Sequence, residues 1–506
     1  MRILSRIQMT SIPLALRSIR GVIGVCLASS LCSGCGESEI ESRDIWLSRT
    51  LIEDHFHLIA RVPELVEGKF NKMRGVFTDD HTSLYPYMRG TLSQMYRDLA
   101  GDNLALVPSR FASPEGLLIF SVGDPHIENL SCTPDEGGRL GLDWDDFDSA
   151  GYGPWIWDVR RLTLSWWVFA RELNPSRYTL KLTEQVIQGY LRGVSDWRSG
   201  LRAQPREGSP VPLLVRDLFL SARERAVEGR IMDRYTTLNE AGQRVLRRGH
   251  IRPVEQTGVI RDALAALSEH EAVLIRGVLQ RLSEQGVDRG PLKDVTRKFG
   301  QGVSSYPLMR FYLLFEGPTE GQGDDELWEV KELADRPVPP ELSLTPPRQF
   351  GRQGARVLGA RRALQWGPLA SLQHPVPSTW VDVGNASFRV RRRVDLQQGL
   401  SVRELTERWR SAEGEEGLEL AMTELEALAS LSGQLLAGAH CFAPTLHGNQ
   451  GGSIIEGDIA RGGERELIEE TLLFVERYGP QLERDRATLI RLMERRGPLL
   501  GARSVE

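Results

Sequence analysis

Residues 117–148 read LLIFSVGDPHIENLSCTPDEGGRLGLDWDDFD. Two short apolar runs, Leu117–Val122 and Leu140–Leu142, each break off into an acidic loop, Gly123–Asn129 and Asp143–Asp148. Apolar runs of this length, bounded by Gly, Pro and Asp, predict short strands. Each strand then delivers an acidic loop to one end of a rigid frame, a common place for a site. Asp124 and Asn129 are five residues apart, and Asp143 lies fourteen beyond Asn129. Phosphoryl transfer needs such a set: a carboxylate to orient the attacking hydroxyl and take its proton, and hard oxygen ligands to hold a metal on phosphates. His126, between them, is placed to brace the loop. The plainer alternative is a Gly-Asp-Pro turn with solvated acids, which accounts for one such loop better than for two.

Working outward, Leu51–Ala100 has a mostly helical pattern. So does most of Thr163–Gln285, with apolar residues at helical spacing in Thr179–Val194, Leu214–Glu228 and Asp262–Gln285. At Asp294 the texture changes. Val295–Phe299, Met309–Glu316 and Leu327–Lys331 read as strands, with a Gly-rich turn at Gly300-Gln301-Gly302. Pro337–Pro347 reads as a linker, Gln353–Gln365 as a helix and Phe388–Val394 as a strand. Helices return over Val402–Arg496, interrupted by a Gly-rich loop at His447–Gly457. The pattern predicts an α+β protein: a mostly helical lobe over 51–290, a β-rich lobe over 291–400 and a C-terminal helical region over 401–506.

The chain has 506 residues and a formal net charge of −5. That length calls for more than one core, and that charge argues against a nucleic-acid binder. Arg2, Arg6, Arg17 and Arg20 precede or flank an apolar run, Gly21–Leu31, too short to span a bilayer. Small residues follow it, the layout of a secretory signal over 1–34. Leu31-Cys32-Ser33-Gly34-Cys35 resembles a lipobox, although Leu31 stands four residues before Cys35 where three is usual. The expectation is an exported lipoprotein of the bacterial cell envelope, held to the membrane by lipid on Cys35, with a tether over 35–50. An ordinary cleaved signal or an uncleaved anchor is the alternative. With Cys35 acylated, only Cys132 and Cys441 remain to pair, so no disulfide framework is expected.

Gly-Asp-x-His-x-x-Asn followed by Asp-x-x-Asp-Phe-Asp resembles the catalytic and metal-binding loops of aminoglycoside-phosphotransferase-like kinases. It resembles more closely a bacterial family of uncharacterised proteins related to them. Weaker matches follow in order: Tyr87–Gly90, Gly153-Pro154, Trp157-Asp158, Arg161-Leu162, Gly300–Ser304, Lys331-Glu332, Val390-Arg391 and Ala439-His440. The resemblance implies a two-lobed, protein-kinase-like fold with permuted lobe order, because the nucleotide-gripping strands follow the catalytic loop. It implies Asp124 as catalytic base and Asn129 and Asp143 as ligands of Mg²⁺ or Mn²⁺. Asp145, Asp146 and Asp148 would take a second metal or shape the loop, and Asp158 would support the catalytic loop. Lys331 would grip the phosphates of ATP or another nucleotide, under a loop of Gly300, Gly302 and Ser304. The acceptor would be an unidentified hydroxyl.

One departure stands out. A kinase lysine pairs with a glutamate on a nearby helix, but Gln353–Gln365 holds none, and Gly359 stands where one is sought. Glu332 or an N-terminal glutamate is the expected substitute. Two rival functions follow: a catalytically silent binding lipoprotein on the same scaffold, and a metal-dependent phosphoesterase. The second needs more histidine ligands than the nine His of the chain place near the acidic loops. Trp155, Trp157, Trp166 and Trp167 read as core residues, His440 as a packed helix histidine, and Arg391–Arg393 as a solvated strand face or an anion contact.

Overall fold

The computed structural model describes residues 42–56, 69, 73–75, 77, 84–100, 109–113, 116, 119–173, 178–249, 263–299, 305, 308–319, 321–335, 352–366 and 378–497. Arg43–Glu506 form one compact unit. The helices of the larger unit are α1 (Arg43–Phe56), α2 (Leu84–Gly90), α3 (Leu92–Ala100), α4 (Trp155–Leu173), α5 (Thr179–Arg198), α6 (Leu213–Glu228) and α7 (Arg230–Tyr235). They continue with α8 (Glu269–Glu284), α9 (Gln353–Leu364), α10 (Val402–Arg410), α11 (Gly414–Phe442), α12 (Gly451–Gly462) and α13 (Glu464–Arg496). The strands are β1 (Ile119–Ser121), β2 (Leu130–Pro134), β3 (Leu140–Trp144), β4 (Gly151–Gly153), β5 (Thr236–Leu238), β6 (Arg244–Leu246) and β7 (Ala263–Ala265). After them come β8 (Leu292–Phe299), β9 (Arg310–Phe315), β10 (Glu326–Leu333), β11 (Ser378–Val383), β12 (Ala386–Arg392) and β13 (Gln398–Gly399).

The helical body is built on α4, which follows Pro154 and is buried on nearly every side, including Trp155, Trp166 and Trp167. A helix buried all round has no polar face to shed charge into water, so each of its buried ions needs a partner. Arg160 pairs with Glu470 of α13 at 2.8 Å, and Asp158 and Arg161 reach the acidic loops. Helices α5 and α11 touch backbone to backbone. A Cβ on Gly189 would lie 2.0 Å from the Ser430 carbonyl oxygen, and one on Gly433 2.0 Å from that of Val186. The main core draws on α4, α5, α11 and α13 together, so the C-terminal helices share one core with the earlier ones.

The larger sheet has the order β11-β12-β10-β9-β8-β7, antiparallel throughout. Phe311, Leu313, Phe315, Trp328, Val330, Val381, Phe388 and Val390 line one face and pack on Ile275, Val278 and Leu282 of α8. Because side chains alternate along a strand, the other face carries the intervening residues, a charged group of Arg310, Glu329, Lys331, Arg389 and Arg391 beside a small apolar cluster of Tyr312, Leu314 and Leu327.

Three expectations need correction here. Helix α8 begins at Glu269, not Asp262: Ala263–Ala265 pair with β8, and Ser268 with Glu271 forms a capping box. The larger sheet thus takes a strand from before residue 291. The hairpin β5–β6 and the strands β2, β4, β11 and β13 lie where the sequence pattern gives no strand. The loop expected over His447–Gly457 gives way to α12, whose first residues must be glycines. A Cβ on Gly451 would meet the His440 carbonyl oxygen at 2.3 Å, and one on Gly452 the Trp197 ring at 2.3 Å.

Candidate functional site

Strand β1 ends one residue short of Val122, and the chain then turns at Gly123 with φ +89. A Cβ there would lie 2.0 Å from the Ser149 carbonyl oxygen, so glycine is required by both conformation and space. The turn is held from beneath. The Gly123 N–H donates to both oxygens of Asp158 at 3.1–3.2 Å, and the Tyr96 hydroxyl donates to the Gly123 carbonyl. Asp158 also accepts from His440 Nε2 at 3.0 Å, while His440 Nδ1 lies 3.0 Å from the Tyr190 hydroxyl. A carboxylate can only accept, so Nε2 is the donor to Asp158, and in that tautomer Nδ1 accepts the hydrogen bond of the Tyr190 hydroxyl. His440, expected as a packing residue, is thus the far anchor of this loop. Nothing in Ala-His-Cys announces that role.

Asp124 Oδ1 accepts from Arg161 Nε at 2.8 Å. Arg161 is 1% exposed and is fixed by a second bond from Nη2 to the Met88 carbonyl at 2.9 Å. Burial raises the Asp124 carboxyl, against the opposing charge of Arg161. Its Oδ2 lies 3.9 Å from His126 Nε2, too far for a hydrogen bond. Burial, reinforced by Arg89 and Arg161, drives the His126 imidazole well below its usual value, so this histidine is neutral. Its buried Nδ1 has no hydrogen-bond partner among the described residues.

Asn129 joins the two acidic loops. Its Nδ2 donates to the carbonyls of Asp124 (3.1 Å) and Asp146 (3.0 Å), and its Oδ1 accepts the Asp146 N–H at 2.7 Å. The strands dictate this meeting: β2 starts at Leu130, β3 ends at Trp144, and these two are register partners. Residues 129 and 145 must therefore be neighbours, and the Asp145 N–H donates to the Asn129 carbonyl at 3.1 Å.

The acids of the second loop divide. Asp143 turns away from the loop junction. Its oxygens accept from the Trp144 N–H at 2.8 Å and the Trp366 N–H at 2.9 Å. Burial pushes its carboxyl up to about 6, with Arg202 and the two N–H groups opposing. Asp145 binds Arg391 (3.3 Å) and Gln397 (2.9 Å). Asp146 is exposed, and its Oδ1 accepts from the Asp148 N–H at 3.3 Å. Desolvation would raise the Asp146 carboxyl, but Lys331 and Arg389 overcome it and hold it at about 2. Asp148 receives the Lys331 ammonium directly.

Lys331 comes from the charged face of the larger sheet. In register it stands between Arg310 and Arg389, and Glu329 stands between Tyr312 and Arg391. Glu329 is 1% exposed and bonds to Arg310 (3.3 Å) and Arg391 (3.2 Å). Despite burial, these arginines hold its carboxyl well below the usual range. Lys298 lies over the rings of Tyr235 and Tyr312, and burial lowers it to about 7. Arg391 is therefore not simply solvated: half-buried, it is held between Glu329 and Asp145. Its signal was the alternation Arg389, Arg391 on one side of β12.

The structure thus brings Asp124, Asn129, Asp145, Asp146, Asp148 and Lys331 together, with Asp158 beneath. Asp143, expected on the metal, is aimed elsewhere, each of its oxygens accepting one backbone N–H, from Trp144 and Trp366. The expected glutamate substitute also differs. Glu332 accepts from the Met309 N–H at 2.8 Å, and the partner of Lys331 is Asp148. Helix α9 sends arginine instead: Arg356 donates to the Ala150 carbonyl at 2.8 Å. Gly300, Gly302, Ser304 and Cys35 lie outside the described residues. Cys132 and Cys441 are buried and free.

As a seat for Mg²⁺, Asp146 and Asn129 fit. Asp146 is a carboxylate at any ordinary pH, and Asn129 Oδ1 keeps a second lone pair beside its one accepted bond. No group of three or more His, Cys, Asp or Glu side chains that could hold a metal occurs among the described residues. A metal carried in on phosphates needs only one or two carboxylates.

A family model described as "Uncharacterized protein conserved in bacteria (DUF2252)" matches residues 61–492. The chain belongs to this family. The match spans both acidic loops, α4, the larger sheet and α11, so all the parts of the site lie within the DUF2252 region. No curated protein and no solved structure matches the chain. Among the described residues, no helix is long and apolar enough to cross a membrane.

Proposed function

We propose that this chain is a Mg²⁺-dependent phosphotransferase of two-lobed, protein-kinase-like build, moving phosphate from ATP or another nucleotide to a hydroxyl acceptor. The observation that carries this reading is the contact of Lys331 with Asp148. It brings a cation from the centre of an antiparallel sheet onto the acidic loop that Asn129 ties to Asp124. Phosphoryl transfer asks for that combination of cation, oxygen ligands and base. Asp146 and Asn129 would hold the metal, and Asp145 would keep Arg391 in place. The bound metal would neutralise charge on the phosphates. Asp124, with Oδ1 fixed by Arg161 and Oδ2 free of hydrogen bonds among the described residues, would orient the acceptor hydroxyl and take its proton. Export and lipid attachment at Cys35 belong to the same proposal.

Incubating the full-length chain with terminally labelled ATP and Mg²⁺ tests this. Label should leave ATP faster than in a blank, and Asp124→Asn should cut that rate about a hundredfold or more. No label release by wild type with Mg²⁺ or Mn²⁺ would sink the reading. One observation favours a second reading, a silent binding protein: the 2.8 Å bond from Arg161 to Asp124 engages one oxygen of the base.

A further inference from the structure

Arg389 stands beside Lys331 on the charged side of the larger sheet. It is 7% exposed, yet its side chain donates no hydrogen bond among the described residues. Its nearest anions are Asp148 Oδ1 at 3.9 Å and Glu329 Oε1 at 4.0 Å, both beyond hydrogen-bond reach. Its Nε is buried without a partner, and so is Oδ1 of Asp148. A buried guanidinium with idle donors is costly, and native folds resolve that cost with a partner. The neighbouring Arg391 shows the ordinary solution, with bonds to both Glu329 and Asp145.

We infer that Arg389 and Lys331 form a seat for a phosphate group of the ligand, and that Asp148 is a resident anion occupying that seat until the phosphate displaces it. This rests on the proposed function and adds to it a phosphate-binding residue and a built-in competitor. The geometry supports each part. Lys331 and Arg389 are register partners on adjacent strands, so their head groups lie on one face and converge on one anion. A carboxylate satisfies Lys331 but leaves Arg389 unbonded. A phosphate has more oxygens, matches the guanidinium fork and carries more charge. The Asp148 side chain is 30% exposed, so it has a way out toward water. The ligand class is a phosphate chain, and neither cation reads a base.

The test is calorimetric titration of the full-length chain with magnesium tripolyphosphate, which has no base, and with MgATP. Wild type should bind both. Arg389→Met should weaken both by about tenfold or more, with Arg389→Lys in between. Asp148→Asn removes the competitor and keeps the shape, so it should bind tripolyphosphate several-fold tighter than wild type. Melting curves of each variant report folding, and Asp148→Asn gives an answer even where Arg389→Met unfolds. The seat is overturned if wild type binds no tripolyphosphate, if Arg389→Met binds like wild type, or if Asp148→Asn binds no tighter. MgATP binding that ignores both residues would overturn the seat and leave the proposed function standing. Tripolyphosphate binding that follows both residues, with no nucleotide binding, would keep the seat and overturn the nucleotide reading.

Discussion

His440 Nε2 lies 3.0 Å from Oδ2 of Asp158, and the same carboxylate accepts the N–H of Gly123. A residue of α11 thereby braces a loop on the far side of the sequence. Both donors are buried, so removing the carboxylate strands them. Asp158→Ala should cost about 3–5 kcal/mol of stability. His440→Phe, which strands only part of the network, should cost about 1–3 kcal/mol. Urea unfolding measures both. A loss under about 1 kcal/mol for Asp158→Ala would show that the brace carries little.

Gly123 combines φ +89 with a carbonyl oxygen where a Cβ would go. Gly123→Ala must move the backbone of Ser149 as well as strain its own, and should lower stability by about 2 kcal/mol or more. Because Ser149 follows Asp148 directly, phosphate binding should weaken with it. Melting temperature and tripolyphosphate affinity should fall together; an alanine variant that melts like wild type contradicts the packing described.

The two acidic loops were legible because strands, Gly and Asp follow one another in a short stretch, and local order decides local structure. The meeting of the loops was legible only in outline. That Leu130 pairs with Trp144 depends on β2, whose Ser-Cys-Thr-Pro sequence gives no strong alternating signal. The choice of acid within Asp143–Asp148 could not be read at all. Trp366, which supplies the N–H that captures Asp143, lies 223 residues away, and periodicity carries no information at that range. The same holds for Asp148 in place of a helix glutamate. Sequence shows that α9 lacks the acid, but not which loop supplies one. Arg389 and Arg391 were visible as an alternation, and the charged face of the sheet follows from it once β10 pairs with β12.

Asp143 predicts a pH dependence. Burial raises its carboxyl to about 6, above an unfolded value near 4. A carboxyl raised in the fold binds its proton more tightly folded than unfolded. Its contribution to stability is therefore complete below about pH 4 and is lost as pH rises through about 6, a change of at most about 3 kcal/mol. Between pH 4 and pH 7, wild type should lose more stability than Asp143→Asn, whose side chain does not titrate. Urea unfolding across that range compares them, and parallel curves would rule out the buried titration.

In the proposed function the acidic loop and Lys331 jointly hold a metal–nucleotide complex, with Asp146 rather than Asp143 on the metal. Calorimetric titration of MgATP into wild type, Asp146→Ala and Asp143→Asn tests this most directly. A metal held by few protein ligands depends strongly on each. Wild type should bind with Mg²⁺ and much more weakly without it. Asp146→Ala should lose that metal dependence and at least about tenfold in affinity, while Asp143→Asn should stay within a few-fold of wild type. No binding by wild type with Mg²⁺ or Mn²⁺, or an Asp146→Ala variant that binds as wild type does, would contradict the account.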